Sequence, residues 1–126
     1  MSYEYLQVDI AEHVALVTMN NPPVNAQNRP FRDELTAIFD ELSDREDVRA
    51  IILTGAGKVF SAGADIKERQ GIKVGAGFYR QHNRVTRESF YAILECDKPV
   101  IGALNGAALG AGLALAACCD ILIASE

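Results

Sequence analysis

The chain is 126 residues long, 49% hydrophobic and 23% charged, with a net charge of −5 and three cysteines. That length allows one domain, residues 1–126, with a single core; the apolar content is too high and the charge too mixed for a disordered chain. The acidic balance argues against nucleic-acid binding. No apolar run reaches the roughly 20 residues that span a bilayer, because 100–124 is interrupted by Asn105, glycines and Asp120. The N-terminus lacks the basic-then-apolar pattern of a secretory signal, so a soluble cytoplasmic protein is expected. Cys96, Cys118 and Cys119 show no metal or disulfide spacing with each other or with His13 and His82, so small core hydrophobes and no metal are expected.

Residues 5–10 alternate polar and apolar, 14–19 are rich in β-formers, and a short turn joins them, which predicts a hairpin. Pro22 and Pro23 stop the second strand, since proline has no N–H for a ladder. Asn28 is a candidate N-cap before Pro30. Phe31, Leu35, Ile38, Phe39 and Leu42 then recur on one helical face. The run 50–53 is apolar without alternation, as in a parallel strand covered on both sides. A turn at 55–58 and a small-residue loop at 60–65 follow. A long helix is predicted from about Gly77 to Glu95, with Phe78, His82, Val85, Phe90, Ile93 and Leu94 on its apolar side. Strand 100–104, a turn at Asn105 and Gly106, helix 113–119 and strand 121–124 complete an α/β order of β-β-α-β-α-β-α-β with parallel crossovers. The chain ends directly after a strand of buried type, so an N-terminal portion of a longer protein, or a chain completed by partner subunits, is expected.

Charge is unevenly placed. Residues 58–87 hold seven basic side chains (Lys58, Lys67, Arg69, Lys73, Arg80, Arg84 and Arg87) against Asp65 and Glu68. Such a stripe suits an anionic small molecule, or is only a solvated helix face. The loop at 55–58 lacks the spacing and the Ser/Thr of a Walker loop. Gly110 and Gly112 lack the third glycine of a dinucleotide fingerprint. Nucleotide binding therefore stays a minor alternative.

Two small-residue segments, 60–67 and 105–112, each follow a buried strand. The second opens a helix, where free N–H groups and the dipole favour negative charge. Two N–H groups aimed at one point would make an oxyanion hole; close helix–strand packing would favour the same glycines and alanines. The first string, Phe60-Ser61-Ala62-Gly63-Ala64-Asp65-Ile66-Lys67-Glu68, resembles the first signature of the enoyl-CoA hydratase/isomerase (crotonase) superfamily. The string from Pro99 to Gly112, with Cys119-Asp120-Ile121 beyond it, resembles the second, and Asn21-Pro22-Pro23-Val24-Asn25-Ala26 is similar to the family's N-terminal substrate-side loop.

The resemblance implies the N-terminal part of a crotonase-like spiral of β-β-α units. It implies homotrimers, often paired into hexamers, and an acyl-CoA thioester as partner. Coenzyme A would arrive as part of the substrate, with no separate cofactor. By position, the backbone N–H groups of Ala64 and Ala111 would stabilise a thioester enolate. Ala26, Ala62, Asp65, Ile66, Lys67 and Gly110 would line the substrate channel. Ala111 stands where the family usually has glycine; its amide is still available, and its methyl narrows the pocket slightly. The sequence departs from hydratases at Ala114, which holds the place of the first catalytic glutamate; the second glutamate would lie beyond Glu126. Asp65 is expected to cap its loop and Asp120 the last helix-to-strand turn. The implied activity is that of an enoyl-CoA hydratase or isomerase, and it is expected to be poor for this 126-residue piece alone. The alternative is a catalytically silent acyl-CoA-binding or assembly subunit lacking the hydratase glutamates.

Overall fold

A computed structural model describes residues 3–69 and 75–126. Lys73 of the basic segment and residues 1–2 of the N-terminal reading lie outside the described residues. Strands β1 (Leu6–Ala11) and β2 (Val14–Met19) form the expected antiparallel hairpin. Its two-residue turn has positive φ at both Glu12 and His13, the handedness that suits a twisted hairpin. Short β3 (Ala26–Gln27) precedes α1 (Arg29–Asp44). The α1 cap is as expected: the Asn28 carboxamide oxygen accepts from Phe31 N–H at 2.9 Å, with Pro30 in the first turn. Strand β7 (Val100–Leu104) is as expected, β4 (Ala50–Gly55) runs two residues past the expected 50–53 and takes in Gly55 of the expected turn, and β9 is Ile121–Ala124. The sheet order is β1-β2-β4-β7-β9, with β2, β4, β7 and β9 parallel.

Each crossover from β2 to β9 advances in the same direction across the sheet. Right-handed crossovers repeated in one direction place all their helices on one face. The burial pattern agrees. Ala15, Val17, Met19, Ile51, Leu53 and Val100 are fully buried, with Phe31, Leu35, Ile38, Phe39 and Leu42 of α1. The residues between them, such as Leu16, Ile52 and Ile101, are only partly covered. This corrects the expectation that β4 is covered on both sides: its apolar run lacks alternation in sequence, yet burial alternates along it.

Three further differences stand out. The segment 60–65, expected as a loop, contains β5 (Val59–Ser61) and β6 (Gly63–Ala64). These pair parallel with β8 (Ala107–Ala108) and β3 in two small ladders. Helix α2 (Ile66–Arg69) follows β6, and α4 (Ala111–Cys118) starts two residues before the expected 113. Helix α3 (Ala76–Leu94) is where expected, but only Ser89 and Ile93 are buried. Phe78, His82, Val85 and Phe90 are half-buried and Leu94 is exposed, because α3 packs on α1 and α4 along a narrow seam and leaves its flanks open. Strand β9, expected as a buried strand, is exposed along its whole length. It is the sheet edge, with a ladder partner on one side only. The three cysteines are half-buried against the core. Burial, then neighbouring Cys118 and Asp120, push the Cys119 thiol up to about 12.

Candidate functional site

The site is built where the two small ladders meet the start of α4. Asn25 and Asn105 both hold the β4–β5 connection. Asn25 is buried, with φ 53°, a left-handed geometry that asparagine tolerates better than most residues. Its Nδ2 donates to the carbonyls of Ala56 (3.1 Å), Val59 (2.9 Å) and Phe60 (3.1 Å), and its Oδ1 accepts from Asn21 N–H at 2.9 Å. Asn105 donates through Nδ2 to Gly57 O (3.0 Å) and Val59 O (3.3 Å), while its Oδ1 accepts from Gly55 N–H at 3.1 Å. Val59 O is thus gripped by both asparagines.

The β3–β6 ladder fixes the direction of the Ala64 amide. Asp65 N–H donates to Gln27 O at 3.1 Å, and Ala64 stands opposite Gln27. In a parallel ladder that bond belongs to Gln27, so the N–H of Ala64 turns to the side away from β3. Gly63, just before it, has φ +95°, and a Cβ there would lie 2.7 Å from Leu109 O and 3.0 Å from Ala111 N. A side chain is therefore excluded twice, by dihedral and by space. The same close approach sets the start of α4 against β6 at Gly63.

Ala111 is the first residue of α4, and its N–H has no partner one turn back within the helix. Its neighbours are committed: Gly112 N–H donates to Leu109 O (2.8 Å) and Ala114 N–H to Gly110 O (3.1 Å). Asp65 behaves as expected, its Oδ1 accepting from Lys67 N–H at 3.0 Å to start α2. Asp120 does not cap the α4–β9 turn with its side chain; Oδ2 accepts from Val100 N–H at 2.8 Å and so ties that turn to β7.

Beside β6 lies a cleft of about 380 Å³ lined by Asn21, Pro22, Pro23, Val24, Ala26, Ala62, Ala64, Asp65, Ile66 and Lys67. It gathers Ala26, Ala62, Ala64, Asp65, Ile66 and Lys67 of the residues named from sequence. Gly110 and Ala111 are not in its lining and reach the region from the far side of Gly63. Ile66 is 73% exposed, so a large apolar side chain stands open at the cleft wall. Lys67 is also exposed and makes no ion pair among the described residues. Arg80, Arg84 and Arg87 are exposed on α3 and do not line this cleft. Sequence reasoning passed over Ser61 and Gln27, both fully buried between β3, β5 and β6; the only signal was a hydroxyl set among small apolar residues in the motif. Among the described residues no cluster of His, Cys, Asp and Glu could hold a metal ion, and no helix is long and apolar enough to cross a membrane.

A parallel sheet whose strands lead into small-residue turns, with helices stacked on one face, defines the first part of a crotonase fold. An enoyl-CoA hydratase/isomerase from Xanthobacter autotrophicus Py2 superposes with a TM-score of 0.93 at 30% identity, over 98% of this chain and 46% of its own. An enoyl-CoA hydratase from Bacillus anthracis gives 0.88 at 35% identity, over 96% and 47%. The sequence profile of the enoyl-CoA hydratase/isomerase family matches residues 9–126, and the chain belongs to that family. A Bacillus subtilis protein named "Probable enoyl-CoA hydratase" is 39% identical over 96% of this chain and 46% of its own length. The human mitochondrial Delta(3,5)-Delta(2,4)-dienoyl-CoA isomerase is 38% identical over 95% and 40%. The chain thus spans about half the length of the curated relatives it matches, or less.

Proposed function

We propose that the protein binds acyl-CoA thioesters and catalyses enoyl-CoA hydratase or isomerase chemistry through an enolate held by the backbone N–H groups of Ala64 and Ala111. The observation that carries this reading is the β3–β6 register, which spends the Asp65 amide on Gln27 and leaves the Ala64 amide turned outward. The first amide of α4, which has no partner within the helix, stands close by, across Gly63. When a nucleophile adds at C3 of an enoyl thioester, or a proton leaves C2, negative charge collects on the thioester oxygen. A donor placed there in advance lowers the barrier by about 2.7–4 kcal/mol. The N-terminal end of the α4 dipole adds to the same effect.

The thioester's surroundings follow from the cleft. Ala26 and Ala62 are small enough to let the substrate approach the backbone, Ile66 offers apolar cover, and Lys67 offers a cation to the phosphates of coenzyme A. Gly110 leaves the approach to Ala111 open. Ala114 has no proton to transfer, and Asp65 is committed to the Lys67 amide. Proton transfer is therefore assigned to a carboxylate other than these. Assembly as a homotrimer or hexamer in the cytoplasm goes with the family reading.

The test is turnover and acyl-CoA affinity measured on one sample of the complete protein. Native protein is expected to consume a short enoyl-CoA. Ala64→Pro removes the N–H without removing a β3–β6 ladder bond, and is expected to lower kcat by at least about 100-fold. Unchanged turnover in a folded Ala64→Pro protein removes Ala64 from the mechanism. Tight acyl-CoA binding without turnover, across chain lengths, would establish the silent binding subunit instead; Ala114 is the residue that favours that second reading.

A further inference from the structure

We propose that Ser61 is a positioning residue that ties the Ala64 and Ala111 amides to a single frame, an inference that rests on the function proposed above. Ser61 is fully buried, and its hydroxyl makes three bonds. It donates to Asn25 O at 2.8 Å and accepts from Gly63 N–H and from Gln27 Nε2, each at 3.2 Å. One donor and two lone pairs are all that a hydroxyl has, so its capacity is filled.

These partners surround the Ala64 amide. Gly63 is the residue just before it, Gln27 faces it in the ladder, and Asn25 leads into the strand that carries Gln27. The Ser61 hydroxyl therefore fixes the Ala62–Gly63 peptide, one plane before the Gly63–Ala64 peptide that carries the Ala64 N–H, and so limits how that next plane can turn. The main chain of Ser61 performs the matching task on the other side. Its carbonyl accepts from Leu109 N–H at 3.0 Å, and Leu109 O in turn accepts from Gly112 N–H at 2.8 Å, so the carbonyl anchors the turn whose next residues are Gly110 and Ala111. Gly112 packs so tightly on that carbonyl that a Cβ would overlap it. One residue thus fixes both loops, through its side chain toward residue 64 and through its backbone toward residue 111.

Loss of the hydroxyl leaves the carbonyl contact to Leu109 intact and frees the Ala62–Gly63 peptide, and through it the orientation of the Ala64 N–H. The expected effect falls on the transition state, where amide direction matters most, rather than on ground-state binding by the cleft. In the complete protein, Ser61→Ala is expected to lower kcat roughly 10–100-fold with KM nearly unchanged, since a misplacement of about 1 Å can cost two orders of magnitude. The direct readout is the infrared C=O stretch of a bound, unreactive acyl-CoA. Native protein is expected to shift it to lower frequency, and Ser61→Ala to lose at least half of that shift while retaining acyl-CoA binding. Ser61→Cys, with a weaker donor and acceptor, is expected to fall between the two. A folded Ser61→Ala with native kcat and native C=O frequency overturns the proposal, as does a rise in KM alone. If Ser61→Ala does not fold, Ser61→Cys decides: a reduced shift supports the role and a native shift overturns it. Failure of the underlying function has a different signature, because native protein itself would then bind no acyl-CoA or leave the C=O stretch unmoved.

Discussion

The region around Ser61 and the strand β9 oppose each other in how they use burial. Around Ser61, polar atoms are buried and nearly all paired: Asn25 satisfies three carbonyls, the Ser61 hydroxyl makes three bonds, and Asn105 also holds the turn. The exception is Gln27 Oε1, buried with no partner among the described residues. Along β9, apolar side chains stand in the open, with Ile121, Leu122 and Ile123 at 55%, 50% and 62% exposure. The first region is specified by hydrogen bonds with fixed directions and tolerates little. The second is held mainly by its β7 ladder and should tolerate much. Substitutions rank the two regions, and the ranking is what the comparison predicts.

The largest expected effect is at Gly112. Gly112→Ala drives a methyl into the Ser61 carbonyl, a backbone group that cannot swing aside. Destabilisation of about 3 kcal/mol, the upper end for overpacking, is expected, read as a drop in the urea midpoint. A loss below about 1 kcal/mol would mean that the β5–α4 contact yields, and the contrast with β9 would weaken.

Asn25 comes next. Asn25→Ala takes the Asn25 donor from the carbonyls of Ala56 and Phe60, leaves Val59 O with Asn105 alone, and puts alanine in a left-handed conformation. An unsatisfied buried group costs about 1–3 kcal/mol. Asn25→Gly removes the same donors but accepts the dihedral, so it should retain about 1–2 kcal/mol relative to alanine. Equal unfolding midpoints for the two variants would show that the positive φ at residue 25 stores no strain.

How much of this was legible follows the same division. The α1 cap was legible because Asn28, Pro30 and an apolar stripe lie within one short window. The strand positions β1, β2, β4, β7 and β9 were legible because β-rich runs are bounded by turn residues. Strands β3 and β6 were not, because two-residue strands exist only through a partner some 37 residues away in register. The exposure of β9 was not legible either: its composition resembles that of β7, and only the position at the sheet edge separates them. In the site, the positions near Ala64 could be found from the motif. The role of Ser61 could not, because its partners Asn25 and Gln27 are 36 and 34 positions away.

A smaller effect is expected at Cys119, which lies between the two regions at the end of α4. Burial raises its thiol from 9.0 to about 12, so the folded state holds its proton where the unfolded state releases it. The stabilisation is complete below pH 9 and is lost as pH rises from about 9 toward 12. The urea midpoint should therefore fall between about pH 8 and about pH 10.5, and Cys119→Ala should flatten that part of the fall. An unchanged slope in Cys119→Ala would assign the alkaline loss to other groups.

The smallest effect on stability belongs to β9. Ile123→Lys changes a side chain that is 62% exposed on an edge strand, so the unfolding free energy should move by no more than about 0.5 kcal/mol. Its consequence lies in association instead. An open apolar edge offers unpaired backbone groups to another copy, and a lysine there repels that approach. The 126-residue chain is expected to sediment with less self-association after Ile123→Lys, at nearly the same melting temperature. A melting temperature lowered as far as by Asn25→Ala would mean that β9 is packed as tightly as the Ser61 region, and the division between directional and permissive parts of the molecule would fail at its weakest point.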